Sequence, residues 1–152
     1  MINCPPILRR KSTHTEPNDM KSSEGPAPGF INDPTYALRI TASDQHWTVR
    51  LGDLVLADSA RTQVLTETGY EPVIYFPSAD VRMDHLIQTE DRTTCPFKGE
   101  ARYFVTTAAE DGRPIAWIYH SVFDEVMPVK GHVAFYENRV ELQQEFVSAP
   151  NA

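Results

Sequence analysis

The chain has 152 residues, 41% of them hydrophobic and 23% charged, with a formal net charge of −7. That length gives room for one domain with a real core, and the negative surface disfavours nucleic acid and anionic membranes as partners. Apolar runs are only a few residues long, so no segment reads as a bilayer span.

Residues 1 to 30 read as a disordered leader. Pro5, Pro6, Pro17, Pro26 and Pro28 are spaced by Ser, Thr and Gly, with few large apolar groups to offset the entropy of ordering. The start "MINCPPILRRKS" lacks a continuous apolar stretch, because prolines and the Arg9-Arg10-Lys11 cluster interrupt it; a cytoplasmic protein is the expectation. Cys4 lies in the leader and Cys95 in the body, so no structural disulfide is expected. There is no CxxC pair and the five histidines are scattered, which argues against a structural zinc site.

The body, residues 31–146 before a tail at 147–152, reads as a single mainly β domain of short antiparallel strands. "YALRI" (36–40), "HWTVRL" (46–51) and "LVLAD" (54–58) are runs of β-formers, and Gly52-Asp53 between the last two predicts a hairpin. "TQVLTE" (62–67) alternates, placing Val64 on one face and Leu65 and Glu67 on the other. "PVIYFP" (72–77) is a short strand bounded by prolines. "SADVRMDHLIQTE" (78–90) has near-helical spacing and Ser78 as a candidate cap, so a short helical turn is expected there. "EARYFVTT" (100–107) sets Ala101, Tyr103 and Val105 against Arg102 and Phe104. "PIAWIYH" (114–120) and "HVAFYE" (132–137) have the aromatic character of central strands. "RVELQQEF" (139–146) fits a last strand or a short helix. Turn signals at "TGYEP", "DGRP" and "VKGH" separate these runs at roughly ten-residue spacing, as in small all-β domains.

Five blocks in this order, "VLADSART" (55–62), "ETGYEPVIYFPSADVRMDHL" (67–86), "TTCPFKGEARYF" (93–104), "AWIYH" (116–120) and "GHVAFYENRV" (131–140), resemble the family catalogued as domain of unknown function 427. The resemblance covers roughly residues 36 to 142. It implies a small, mainly β, β-tent-like domain without an assigned activity, to which a nucleotidyltransferase label is sometimes attached. Ile118 stands where the family more often has Ser, so no serine hydroxyl is carried over at that position. Nucleotidyl transfer usually needs two divalent metals on closely spaced carboxylates and a glycine turn for phosphate. Here Asp80 and Asp84 are four apart, Asp58 is elsewhere, and no Gly-Ser element precedes an Asp-x-Asp; no metal site is expected, and the cofactor is left open.

The residues themselves suggest a site. Beyond residue 30 the chain has 10 Lys/Arg against 18 Asp/Glu, a net of −8, so its cations are informative. Arg82 and Lys98 lie in the two most distinctive blocks, with Arg50 ending an earlier strand. If they converge they form an anion site for a small-molecule carboxylate or phosphate; if they pair with Glu67, Asp80 or Asp84 they are structural salt bridges. Cys95, three residues before Lys98, is either a thiol activated by that ammonium or a buried small hydrophobe at a corner shaped by Pro96 and Gly99. Tyr75, Tyr103, Trp117 and Tyr119 either fill the core or wall a cavity, their polar tips needing partners in both cases. Glu67 is a candidate base or arginine orienter, and His132 a strand-end group of structural or functional use.

The expectation is therefore an aromatic-walled pocket for an anionic small molecule, with Arg82 and Lys98 on the anion and Glu67 or Cys95 as the catalytic group. A non-catalytic interaction module and a nucleotidyltransferase-type enzyme are the alternatives. The oligomeric state stays open, a homodimer included.

Overall fold

The computed structural model describes residues 23–145. Most of the expected leader and the tail lie outside the described residues. The molecule is mainly β, with two antiparallel sheets. The strands are β1 (Leu38–Ala42), β2 (His46–Leu51), β3 (Leu54–Ser59), β4 (Gln63–Glu67), β5 (Tyr70–Pro77), β6 (Leu86–Cys95), β7 (Gly99–Thr106), β8 (Ala116–Val122), β9 (His132–Phe135) and β10 (Glu141–Glu145). Seven of them form one sheet in the order β1-β4-β5-β9-β8-β7-β6, and the other three form a second in the order β10-β2-β3.

Alternation decides which side chains enter which core. On β4, β5, β8 and β9, the side chains of Val64, Ile74, Phe76, Ile118, Val133 and Phe135 face one way. They pack with Val49, Leu56 and Ala57 of the three-stranded sheet. Leu65, Val73, Tyr75, Trp117, Tyr119 and Ala134, their sequence neighbours, face the other way into a second core. That second core also receives Phe97, Tyr103, Val122, Val126 and Val129.

The second core is covered by three irregular pieces: the turn between β6 and β7, a 3-10 segment at Asp124–Val129, and the chain from residue 23 to Tyr36. Residues 23 to 30, grouped with the leader on composition, lie against the body. Glu24 N–H donates to Val122 O (2.7 Å), and Gly29 N–H to Pro96 O (3.0 Å). Ala27 is buried. A Cβ on Gly29 would sit 2.7 Å from the Phe97 ring, so the short helix α1 (Gly29–Asn32) can approach the ring only with glycine there.

Two predicted elements differ in detail. In the region 78–90 the helical character is limited to two 3-10 turns, Ser78–Asp80 and Met83–His85, after which β6 begins at Leu86. The polar run "QTEDRTT" conceals this long edge strand, because an edge strand with one solvated face needs no run of apolar residues. At the C-terminal end, strand rather than helix is adopted: β10 pairs antiparallel with β2, Glu141 opposite Arg50. No helix among the described residues is long and apolar enough to cross a membrane.

Candidate functional site

The stretch Cys95-Pro96-Phe97-Lys98-Gly99 is the hairpin turn between β6 and β7. Cys95 and Gly99 are its opposed ends, and Lys98 N–H donates to Cys95 O (3.2 Å). Gly99 has φ +133°, and a Cβ on it would meet Ser121 O at 2.0 Å. Only glycine satisfies both the backbone conformation and the close approach of β8.

This turn projects two side chains into the second core. The Phe97 ring stacks on Tyr36 (centroids 3.9 Å, 16° between planes) and meets Phe30 edge-on at 4.9 Å. The Lys98 ammonium lies 2.5 Å from Glu67 Oε1 and 5.9 Å from the centre of the Tyr119 ring. Tyr36 Oη donates to the other carboxylate oxygen, Glu67 Oε2. The side chains of Lys98 and Glu67 are 1% and 2% exposed, so water does not screen the pair. Separating buried charges leaves each one uncompensated, which costs far more than losing an exposed salt bridge.

Topology makes this contact unusual. Glu67 ends β4, the second strand of the seven-stranded order, whereas Lys98 belongs to the β6–β7 turn at the opposite end. The two can meet only because the sheet curls around its aromatic core. The ion pair and the Tyr36–Phe97 stack join the two ends of that curl.

Tyr36 and Glu67, though buried, also border a groove. They line this groove, of about 610 Å³, with Phe30, Leu38, Arg39, Thr66 and Glu125. A neighbouring hollow of about 460 Å³ shares Tyr36 and Thr68 and is floored by Pro96 and Phe97. Arg39 is exposed, and its guanidinium makes no ion pair with any described residue. Glu125 Oε1 is engaged by Ala27 N–H at 3.0 Å.

The remaining candidates fall into place around this centre. Tyr75, Tyr103, Trp117 and Tyr119 fill the second core, exposed by 2% or less, and line none of the grooves described here. Three of the polar tips are used internally: Trp117 Nε1 donates to Tyr75 Oη (3.3 Å), and Tyr103 Oη pairs with Thr93 Oγ1 (2.5 Å). Tyr136 tilts against Trp117 at 4.6 Å, and burial pushes its phenol up to about 12. The aromatic walls of the groove are instead Phe30 and Tyr36. Cys95 is buried and not in a disulfide.

Arg82 does not join Lys98. Its guanidinium is more than half exposed and contacts Asp84 and His85, on the irregular link between β5 and β6. Arg82 therefore takes the salt-bridge alternative, with Asp84 held below the usual carboxylate range chiefly by that hydrogen bond. His132 opens β9 opposite Pro77, with Nδ1 3.2 Å from Lys130 O. Burial holds it below the ordinary imidazole value.

The carboxylates that a two-metal reaction would need are dispersed. Asp58 contacts His46, Asp80 binds Arg61 and Ser59, and Asp84 faces Arg82. Among the described residues no group of three or more His, Cys, Asp or Glu is arranged to hold a metal.

Two site residues escape the sequence reading. Tyr36 opens the first strand run without any motif around it, and Arg39 is an ordinary strand residue. Tyr36 is identified only by its hydrogen bond to Glu67, and Arg39 only by its place, opposite Thr66 in the β1–β4 pairing, in the groove's lining. In comparison with known families, residues 39–145 match a model described as a domain of unknown function (DUF427). No curated protein matches the sequence.

Proposed function

For this chain, which belongs to the family described as domain of unknown function DUF427, we propose the binding of an anionic small molecule in the groove over Tyr36 and Glu67. The observation that carries this reading is a buried carboxylate that is at once fully engaged and part of a groove wall. Lys98 neutralises Glu67 from behind, so the carboxylate does not repel an anion beside it. Arg39 offers a guanidinium fork at the rim. Phe30, Tyr36 and Leu38 supply an apolar wall, and Thr66 and Thr68 add hydroxyls, the usual mixture of a small-molecule site. Glu67 acts here as a positioning residue that fixes the Tyr36 ring. The anion contact moves from the expected Arg82 and Lys98 to Arg39.

A thermal-shift panel of carboxylate-bearing and phosphate-bearing metabolites on the full chain tests this. At least one anion raises Tm saturably, by about 5–10 °C at a hundredfold excess over Kd. Arg39→Gln abolishes the rise while leaving the unliganded Tm in place, because Arg39 is exposed and makes no ion pair with any described residue. A panel in which no anion raises Tm overturns the proposal.

One observation favours a second reading, a non-catalytic interaction module. The Glu67–Lys98 pair joins the two ends of the curled sheet, which is a sufficient structural reason for it. Under that reading Glu67→Gln lowers Tm and no anion restores it.

A further inference from the structure

A separate concentration of positive charge lies on the other side of the β6–β7 hairpin. Arg92 of β6 and Arg102 of β7 are direct cross-strand partners. Like charges in that position repel. Both side chains are nevertheless largely covered, 21% and 17% exposed. Among the described residues, the sole acid paired with either is Glu100. Its Oε1 accepts from Arg102 Nε and Nη2 at 3.2 Å, and its Oε2 lies 3.9 Å from Arg92 Nη1. One carboxylate thus serves two guanidiniums.

A bulge on β8 adds a third group. Glu100 pairs with Ser121 and Ala101 with Tyr119, so His120 is the extra residue between them, turned away from the aromatic core. Burial lowers the His120 pKa, and the charges of Arg102, Lys130 and Arg92 push it the same way against Glu100. The imidazole thus senses a positive local potential within an acidic molecule. Two pairs along the ladder, Thr94 with Glu100 opens on a hollow of about 320 Å³ that also has Glu24, Ser121 and Phe123 in its wall.

We infer that this face binds a phosphate monoester, its phosphate held by Arg92, Arg102 and His120 and its hydroxyl-bearing body lying in the adjoining hollow. Two guanidinium forks and an imidazole suit three phosphate oxygens. Thr94 and Ser121 suit the hydroxyls of a sugar, and the Phe123 ring suits its apolar face. This site is independent of the groove at Tyr36 and uses none of its residues.

Isothermal titration of the full chain with inorganic phosphate and with glucose 6-phosphate tests the assignment. Both are expected to saturate at one per chain, the sugar phosphate more tightly. Arg92→Gln and Arg102→Gln each weaken binding by about tenfold. Glu100→Gln tightens it by removing the competing carboxylate, a gain that a purely structural role would not produce. Arg39→Gln leaves it unchanged. Arg92 is on an edge strand, so its variant keeps the test intact if Arg102→Gln does not fold. The assignment is overturned by non-saturating heats, by affinities that both arginine variants leave unchanged, or by equal affinity for the two probes.

Discussion

At the scale of single residues, the decisive group is Lys98. Its ammonium has two partners, the Glu67 carboxylate and the Tyr119 ring, and almost no water. Lys98→Met leaves Glu67 buried without its cation, and urea denaturation is expected to report a loss of about 3–5 kcal/mol. Adding Glu67→Gln removes that stranded charge while retaining an acceptor for Tyr36. The double variant is therefore more stable than Lys98→Met alone, with a coupling of about 1–3 kcal/mol. A double variant whose loss equals the sum of the losses of Lys98→Met and Glu67→Gln measured singly would mean that the pair contributes nothing. Gly99→Ala is a sharper case, because φ +133° and a 2.0 Å approach to Ser121 O forbid a side chain. A loss of about 3 kcal/mol or more is expected in the same assay. Much of this was legible beforehand: Lys98-Gly99 after Cys95-Pro96 marks a tight turn carrying a scarce cation. What the residues could not indicate was the direction in which that cation points. It turns inward to Glu67 rather than outward to a ligand, because the turn sits at the mouth of a curled sheet.

At the scale of elements, strand faces were readable and strand neighbours were not. The split of Trp117 and Tyr119 from Ile118, and of Leu65 and Glu67 from Val64, follows from alternation and is present in the two cores. β6 escaped because its solvated residues hide its pattern, and Arg39 escaped because its importance arises only from pairing with β4. The edge strand β10 supplies a pH test. His46 on β2 lies between Asp58 of β3 and Glu145 of β10, and its pKa is raised, chiefly by the hydrogen bond to Asp58, which outweighs the opposing effect of burial, and further by the charges of Asp58 and Glu145. A raised folded-state value means that the stabilisation is fully present below the unfolded value of 6.5 and fades as pH rises through the folded one. Amide protection factors in β10 are expected to fall as pH rises through this window, and His46→Gln should flatten the change. Protection that is independent of pH in the wild type would contradict this.

At the scale of the whole molecule, the curl of the seven-stranded sheet creates both the buried pair and the groove. Tyr36 belongs to the approach to β1, Glu67 to β4 and Lys98 to the β6–β7 turn, so the site exists only once the most distant strands in the order have come together. Such long-range closure leaves no trace in composition or periodicity. The covering chain from residue 23 onward takes part in it, through Phe30 on Phe97 and Glu24 on Val122. The most direct measurement is a ¹H–¹⁵N correlation titration of the full chain with the anion that raises Tm most in the panel. The expected result is saturable shifts concentrated at Ala37, Leu38, Arg39, Thr66, Glu67 and Thr68 and lost in Arg39→Gln. Shifts confined to the β6–β7–β8 face, or no saturable shift with any member of the panel, would contradict a ligand in the groove.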